Sequence, residues 1–424
     1  MTILLRQKIN IEGKEKKTVK ANLEEVLRKL IAFSEDFSYR EHESLFAFLN
    51  DKDLLEKLTA LVKKINGHHL PKTVFVIGIG GANLATKAIH DALSGYGESA
   101  YDAERKMIFL DTVDESVSEP VLLHIKTLNK KEDFVVVIVS KSGETLETLA
   151  NTEFLLSHLE ARFGDIRDRT VVVTGGGSKL DLSAKEKNIS LVLLPDVFSD
   201  RFGAFSPTTL LPMMLYGYPA DDLLSGAREV FRKFIGLKEN ISLETAFAID
   251  EEYGRGHNIY DLFFFSPRLE TLGKWHRQLV AESLGKTGKG ITPTVSIGTT
   301  DLHSSLQLVL DGPKNKITSF VSVHLSEEES IGDSLEIDAL SANVTSKSFS
   351  EINNAILQSV QESYFKNNLP YFDIILSDIS LKTIGEYMTF AMLQTIFLSK
   401  LWSVNAFDQP AVEEYKTRAK RALE

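Results

Sequence analysis

The sequence predicts an α/β fold of two doubly wound domains, each built on a mostly parallel sheet, with peripheral helices at both ends of the chain. Two observations predict this class. From Thr73 onward, short continuous apolar runs alternate with stretches of helical periodicity, which is typical of parallel strands covered on both faces. Turn-forming residues follow several of these runs, at the edge where open α/β sheets bind their ligands.

The apolar runs fall into two groups. The first group predicts a helix at 84–93 and strands at 74–79, 107–110, 134–139, 171–174 and 191–194. The second group predicts strands at 259–265, 294–297, 318–323 and 372–376. A strongly apolar helix is predicted at 384–401, and we expect it to be buried between lobes. The sequence leaves open whether the two groups are related copies.

This division predicts four regions. They are a peripheral, helical N-terminal segment (1–66), a first α/β domain (67–217), a second α/β domain (218–404) and a C-terminal helix (405–424).

The bulk composition excludes several classes of function. The chain has 424 residues and a net charge of −11, which argues against nucleic acid or an anionic membrane as the main partner. It contains no cysteine, and this excludes disulfides, thiolate nucleophiles and cysteine-based zinc sites. No secretory signal is recognisable in residues 1–8, and no uncharged apolar stretch approaches the roughly 18 residues of a membrane span. We therefore expect a soluble, cytoplasmic protein.

A candidate phosphate loop follows the predicted strand at 134–139. It reads Ser140-Lys141-Ser142-Gly143-Glu144-Thr145 and leads into a helix. Free amides, hydroxyls and a positive helix end suit an anion, and Lys141 adds a charge. A capped helix start explains the same residues equally well. Glu144 would repel a phosphate unless it points away.

A glycine-rich turn follows the strand at 74–79. Its sequence is Gly78-Ile79-Gly80-Gly81-Ala82-Asn83. A dinucleotide fingerprint would need a third glycine where Asn83 stands, and Asp111 comes late for a ribose ligand. We therefore interpret the turn as one that lets the backbone, at Gly80 and Gly81, approach a sugar phosphate.

Three further segments carry groups capable of acid–base chemistry. Gln278 and Glu282 lie one helical turn apart in 278–286, His303 lies in 298–307, and Gln409 and Lys416 lie in 407–416. Taken singly, each has a simpler explanation: a solvated carboxylate, a structural histidine or a solvated lysine. Gln409 and Lys416 have the i, i+7 spacing of one helix face, and Pro410 suits a helix start.

Taken together, in this order and at these separations, the three segments closely resemble the signatures of the glucose-6-phosphate isomerase family. The loop at 140–145 is similar to that of the sugar-isomerase (SIS) domain found in several phosphosugar enzymes. The resemblance runs from Val74 to Lys416. It implies two SIS-type domains and the isomerisation of glucose 6-phosphate and fructose 6-phosphate without a metal or other cofactor.

The resemblance also implies a role for each matching residue. Glu282 would carry the proton between C2 and C1, and Arg201 would stabilise the enediolate. His303 and Lys416 would assist ring opening, with His303 reaching the neighbouring subunit of a homodimer. The expected substrate contacts are Gly80, Gly81, Ser140, Lys141, Ser142, Thr145, Gln278 and Gln409.

Two of the chain's departures from the family pattern affect groups expected to act on the substrate. Ser199-Asp200 stands before Arg201 where the family usually has a glycine pair, so an ion pair between Asp200 and Arg201 would weaken the arginine. Ala82 stands where the family normally has serine, which removes a hydroxyl that Asn83 would have to replace. Alternatives are therefore another tandem-SIS phosphosugar isomerase and a sugar-phosphate sensor that has lost turnover. A dehydrogenase is a more distant alternative.

Overall fold

The computed structural model describes residues 1–5, 16–95, 104–236, 240–324, 330–331 and 344–423. Its strands, numbered along the chain, are β1 (Thr2–Leu5), β2 (Thr73–Ile77), β3 (Lys106–Leu110), β4 (Phe134–Ser140), β5 (Thr170–Gly175), β6 (Ser190–Leu194), β7 (Ile259–Phe264), β8 (Thr292–Ile297), β9 (Lys316–Val323) and β10 (Tyr371–Leu376). All the strands predicted from β2 to β10 are confirmed, with bounds that shift by at most two residues.

The helices separate these strands. They are α1 (Lys16–Phe33), α2 (Lys52–Asn66), α3 (Leu84–Ser94), α4 (Glu115–Thr127), α5 (Leu146–Phe163), α6 (Lys179–Glu186), α7 (Pro207–Tyr216), α8 (Ala220–Lys233), α9 (Ile241–Gly254), α10 (Glu270–Leu284), α11 (Leu302–Asp311), α12 (Phe349–Lys366), α13 (Leu381–Leu401) and α14 (Glu413–Ala422). Short 3₁₀ helices relevant to the site are His42–Leu49, Gly80–Ala82, Asp200–Phe205 and Pro410–Val412.

The first sheet has the strand order β3-β2-β4-β5-β6, and all its pairings are parallel. The chain therefore winds outward in one direction from β2 to β3 and in the other from β4 to β6. Such a reversal opens a crevice between the two central strands at their carboxyl ends, which is where ligands bind in open α/β sheets. Here those strands are β2 and β4, which lead into the glycine turn and the candidate phosphate loop.

The second sheet has the order β1-β10-β9-β7-β8. Its strands β7 to β10 are parallel and repeat the order of the first four strands of the first sheet. The two sheets thus share one winding pattern. The α/β prediction with two mostly parallel sheets is confirmed, whereas the exact domain boundaries stay a prediction.

The N-terminal segment, predicted to be helical and peripheral, also contains a strand and contributes to the core. Residues 2–5 form β1, which pairs antiparallel with β10 at the edge of the second sheet. Phe46, in the 3₁₀ helix His42–Leu49, is fully buried in the largest core cluster. The sequence could not indicate this strand because it is short and pairs with a partner about 370 residues away along the chain.

Both faces of the first sheet are covered by apolar side chains. Along β2, Val74 and Val76 enter the core shared with the second lobe, while Phe75 and Ile77 enter a separate cluster on the opposite face. This alternation between two buried faces explains why the strands read as continuous apolar runs.

Helix α13 is buried along nearly its whole length, as predicted. It packs closely on α8 because both helices have a glycine at the contact. A Cβ atom on Gly226 would lie 1.9 Å from the main-chain oxygen of Lys382, and one on Gly385 would lie 2.2 Å from that of Leu223. None of the described helices combines the length and the apolar character that crossing a membrane would need.

Candidate active site

The glycine turn after β2 lies directly against two other segments of the site. A Cβ atom on Gly81 would lie 2.6 Å from the main-chain nitrogen of Arg201, so only glycine fits there. Gly80 has a φ of +60°, and a Cβ there would lie 3.1 Å from Nε2 of Gln278. The turn therefore brings the backbone close to the Arg201 segment and to α10.

Helix α10 carries two adjacent functional candidates near its C-terminal end. Gln278 Nε2 donates a hydrogen bond to Glu282 Oε1 at 3.0 Å, as expected for side chains one turn apart. The Glu282 side chain is 38% exposed, so its carboxylate is open to a ligand. The next residue, Ser283, is fully buried.

Arg201 is the buried centre of the site, and all five of its N–H donors are used. The acceptors are Ser283 Oγ (2.9 Å), Glu282 Oε2 (3.3 Å), Gln409 Oε1 (2.8 Å), the main-chain oxygen of Asp408 (2.8 Å) and that of Ala406. Burial lowers the pKa of the guanidinium from its ordinary value, and the Glu282 carboxylate opposes that shift. Arg201 thus connects α10 to the segment that precedes α14.

Asp200 does not take the role that its position beside Arg201 predicted. The carboxylate partner of Arg201 is Glu282, and Asp200 Oδ1 is buried without a hydrogen-bond partner among the described residues. Burial raises the pKa of the Asp200 carboxyl, the Lys141 ammonium opposes this, and the Glu282 carboxylate adds to it.

The phosphate-loop hydroxyls lie close together at the start of α5. Ser140 Oγ is 3.2 Å and Ser142 Oγ is 3.4 Å from Thr145 Oγ1. Thr145 is the residue before the helix, but its side chain makes no capping hydrogen bond. Ser140 Oγ accepts from the Gly143 amide at 3.1 Å and Ser142 Oγ from the Glu144 amide at 3.2 Å, so these hydroxyls also satisfy amides of the loop. The anion site therefore stays a prediction.

The two charged residues of this loop point to other partners. Glu144 binds Lys179 at 3.0 Å and Lys420 at 2.6 Å, and the hydrogen bonds from these lysines lower the pKa of its carboxyl to about 2. Lys141 Nζ donates to the main-chain oxygens of Asp196, at 2.7 Å, and Phe198. Burial lowers the pKa of Lys141 from its ordinary value.

The Gln409 and Lys416 segment departs from the predicted single helix face. Gln409 precedes a 3₁₀ turn at Pro410–Val412, and α14 begins only at Glu413. The prediction that both lie on one α-helix was therefore wrong, because the turn after Pro410 interrupts the register. Gln409 reaches Arg201, whereas Lys416 Nζ contacts Glu413 Oε1 at 2.7 Å and lies within electrostatic range of Asp200.

His303 stands apart from this cluster within one chain. It is exposed on the first turn of α11, and the side chains that contact the Glu282 carboxylate are Gln278 and Arg201. The structure therefore brings together Glu282, Gln278, Arg201 and Gln409 but leaves His303 outside.

Two positioning residues were missed in the sequence. Ser283 holds Nε of Arg201, and Lys286 donates to the main-chain oxygens of Glu282 and Ser283, both at 2.9 Å, and to that of Asn405. Their adjacency to Glu282 was the available signal. Among the described residues, no group of three or more His, Asp or Glu side chains is arranged to hold a metal ion.

Comparison with known proteins adds independent information. The model of the family described as phosphoglucose isomerase matches residues 49–424. The glucose-6-phosphate isomerase of Methanocaldococcus jannaschii is 32% identical over 84% of this chain and 84% of its own. A glucose-6-phosphate isomerase of Thermus thermophilus is 30% identical over 95% of this chain and 94% of its own. A solved structure of a hypothetical protein from Thermus thermophilus superposes with a TM-score of 0.82 at 29% identity, covering 96% of each chain.

Proposed function

The chain belongs to the phosphoglucose isomerase family, and from this membership we infer that it interconverts glucose 6-phosphate and fructose 6-phosphate. It is an aldose–ketose isomerase, and the reaction is a step shared by glycolysis and gluconeogenesis. A phosphorylated sugar does not cross membranes unaided, which supports the cytoplasmic location expected from the sequence.

One observation carries the assignment of the site. Gln278 and Glu282 on α10, Arg201 and Gln409 come from three separate parts of the chain, yet they form one hydrogen-bonded cluster beside the glycine turn. The cluster contains an accessible carboxylate next to a permanently charged guanidinium. Those are the two groups needed to remove a carbon-bound proton and to stabilise the oxyanion that results.

In the proposed mechanism, Glu282 removes the proton from one of the adjacent carbons C1 and C2 and returns it to the other. The negative charge passes to the carbonyl oxygen and forms the enediolate, and the proton of the neighbouring hydroxyl moves to that oxygen before the other carbon takes up its proton. Arg201 stabilises this oxygen through Nη1, whose present partners are Glu282 and Gln409. Its other donors are held by Ser283 and by main-chain oxygens, so they fix the guanidinium in place.

The phosphate group is proposed to bind at the crevice between β2 and β4. The hydroxyls of Ser140, Ser142 and Thr145 converge there at the start of α5. Lys141 contributes positive charge from its anchored position, and Glu144 is directed to Lys179 and Lys420 instead of to the phosphate. This arrangement offsets the unfavourable net charge of the whole chain.

Ring opening is assigned to Lys416 and to His303 of a second subunit. The exposed position of His303 on α11 supports a homodimer, because the residue is free to enter a neighbouring site. Leu308, on the same helix, is 55% exposed and gives that surface apolar character.

The function is tested by NMR of the purified protein with fructose 6-phosphate in D₂O. We expect glucose 6-phosphate to appear with deuterium at C2, because the proton held by Glu282 exchanges with solvent before it returns. Binding of fructose 6-phosphate without any conversion would contradict the proposal and favour a sugar-phosphate sensor.

The same assay tests the role of Glu282. Glu282→Gln keeps the side-chain volume but removes the base, so turnover should fall by at least roughly 10²–10⁴-fold. Glu270→Gln is the matched control, since Glu270 lies on the same helix and pairs with Lys274 instead of Arg201. Unchanged turnover in Glu282→Gln would refute the assignment.

A further inference from the structure

His42, in the N-terminal 3₁₀ helix His42–Leu49, is bonded to the segment that leads to Arg201. Its Nδ1 lies 2.7 Å from the main-chain oxygen of Val197, and because a carbonyl oxygen can only accept, Nδ1 is the donor. Val197 precedes Arg201 by four residues. The hydrogen bond therefore connects the N-terminal segment to the stretch of backbone that presents Arg201.

The same stretch of backbone is also held by the phosphate loop. Lys141 donates to the main-chain oxygens of Asp196, at 2.7 Å, and of Phe198, which are the two neighbours of Val197. Three consecutive carbonyl groups before Arg201 thus accept from two side chains. One of these side chains belongs to the phosphate loop, and the other belongs to the part of the chain that was expected to be peripheral.

The imidazole ring of His42 also stacks on the second segment that contacts Arg201. Its plane lies 8° from that of the Phe407 ring, and the ring centroids are 5.0 Å apart. Phe407 packs in turn against Phe202, the residue after Arg201, with 5.2 Å between the centroids. Both phenylalanines are buried, so these ring contacts fix the orientation of Phe407 as well as its depth.

Phe407 stands between two of the residues that accept hydrogen bonds from Arg201. The main-chain oxygens of Ala406 and Asp408, together with Oε1 of Gln409, take three of the five N–H donors of the guanidinium. Because the two carbonyl groups flank Phe407, the position of its ring determines where they lie. A side chain that holds this ring therefore also holds the acceptors of Arg201.

We propose that His42 is a positioning residue for the reaction. By bonding to Val197 and stacking on Phe407, it keeps the Arg201 guanidinium in the orientation that stabilises the enediolate. The inference rests on the proposed function, because it takes Arg201 to act on that intermediate. The match to the phosphoglucose isomerase family begins at residue 49, so His42 lies outside it and membership of the family assigns it no role.

Steady-state kinetics with fructose 6-phosphate tests the proposal. A residue that positions a group for the transition state affects the chemical step more than substrate binding. His42→Ala loses both contacts, so kcat should fall roughly 10- to 100-fold while KM changes little. His42→Asn keeps a donor near the place of Nδ1 but loses the stack, whereas His42→Phe keeps the stack but loses the donor. Each of these two variants should recover part of the lost kcat.

Calorimetry with two ligands gives a readout that does not depend on turnover. Arabinonate 5-phosphate has a planar carboxylate that resembles the enediolate. Glucitol 6-phosphate is an open-chain sugar phosphate without such a group, and neither compound can be isomerised. Compared with the wild type, His42→Ala should bind arabinonate 5-phosphate roughly 10- to 100-fold more weakly and glucitol 6-phosphate equally well.

Tyr39→Phe is the matched control for a general weakening of the N-terminal segment. It keeps the ring but removes a 2.7 Å hydrogen bond to Asp51 that lies wholly within that segment, so kcat should not change. An unchanged kcat in His42→Ala would overturn the inference. So would an equal loss of kcat in Tyr39→Phe, or an equal weakening of both ligands in His42→Ala, because His42 would then act only through folding. If the wild type binds both ligands without any turnover, the proposed function fails while the ligand comparison still tests His42.

Discussion

The buried side chain of Arg201 is held in one orientation by its hydrogen bonds. A guanidinium with five donors is desolvated in the site, and each donor finds an acceptor either on α10 or in the segment that precedes α14. In the sequence, its nearest carboxylate is Asp200, which is close enough along the chain to form an ion pair with it. The fold gives Arg201 the carboxylate of Glu282 instead, because adjacent side chains in a 3₁₀ turn point in different directions.

His276 gives a prediction for stability at the residue scale. It is fully buried on α10, where desolvation lowers its pKa to about 3, and its Nδ1 lies 2.8 Å from the hydroxyl of Tyr387. The unfolded chain takes up a proton near pH 6.5 and the folded chain does not, so stability falls as pH drops below 6.5. Between pH 6.5 and pH 5 the free energy of unfolding should fall by roughly 1.5 kcal/mol because of this histidine.

Urea unfolding at pH 6.5 and 5 measures this loss. In His276→Phe, the difference in the free energy of unfolding between the two pH values should be smaller by this histidine's contribution, even if the variant is less stable at both. Tyr387→Phe is the matched control, since it removes the hydrogen bond but keeps the titrating histidine and should retain the slope. An unaltered slope in His276→Phe would show that other groups cause the acid sensitivity.

At the element scale, the C-terminal helix α14 is attached to the phosphate loop. Lys420 binds Glu144 at 2.6 Å, and Gln409, just before the helix, binds Arg201 at 2.8 Å. Glu144 looked unfavourable in the sequence because it stands beside a proposed phosphate site. In the structure it holds the helix that carries Lys416.

Lys420→Met should therefore lower turnover of glucose 6-phosphate, because α14 would hold Lys416 less firmly. The contact is partly exposed, so we expect a modest effect of roughly two- to five-fold in kcat. Arg418→Met, on the same helix but paired with Glu414, is the control and should have no such effect. Steady-state kinetics at low salt measures both variants.

Salt provides an independent check on this helix attachment. Screening at high ionic strength weakens a solvent-exposed ion pair, so the difference between the wild type and Lys420→Met should shrink as salt is added. A difference that persists in full at high salt would show that Lys420 acts through packing and not through Glu144.

At the scale of the whole molecule, the site draws on both sheets, since the glycine turn and the phosphate loop follow β2 and β4 of the first sheet and α10 follows β7 of the second. The described chain completes the Glu282 cluster but leaves His303 exposed on α11. If a second subunit supplies the histidine, one chain folds without forming a complete site. The completeness of the site would then be a property of the assembled protein, and it has to be tested on the assembly.

Subunit complementation tests that assembly. Glu282→Gln and His303→Gln homodimers should each be nearly inactive. A mixed dimer would contain one site with both residues intact, so random reassociation of equal amounts should restore about a quarter of wild-type turnover. No recovery, with mixed dimers demonstrated by differential tagging, would show that His303 acts within its own subunit or not at all.

The sequence by itself determined the parts of this protein that depend on local pattern. Continuous apolar runs fixed strands β2 to β10, because a strand buried on both faces needs apolar residues throughout. The segments around Glu282, His303 and Lys416 indicated the chemistry only through their joint resemblance to a known isomerase family, because each of them taken singly has a simpler explanation.

The tertiary structure alone decided how those parts meet. It placed β1 beside β10, gave Glu282 rather than Asp200 to Arg201, interrupted the helix between Gln409 and Lys416, and turned Glu144 towards α14. It also buried Oδ1 of Asp200 without a partner among the described residues. These features depend on contacts between residues far apart in the chain, where burial and competition among acceptors choose the partner, and no local pattern records that choice.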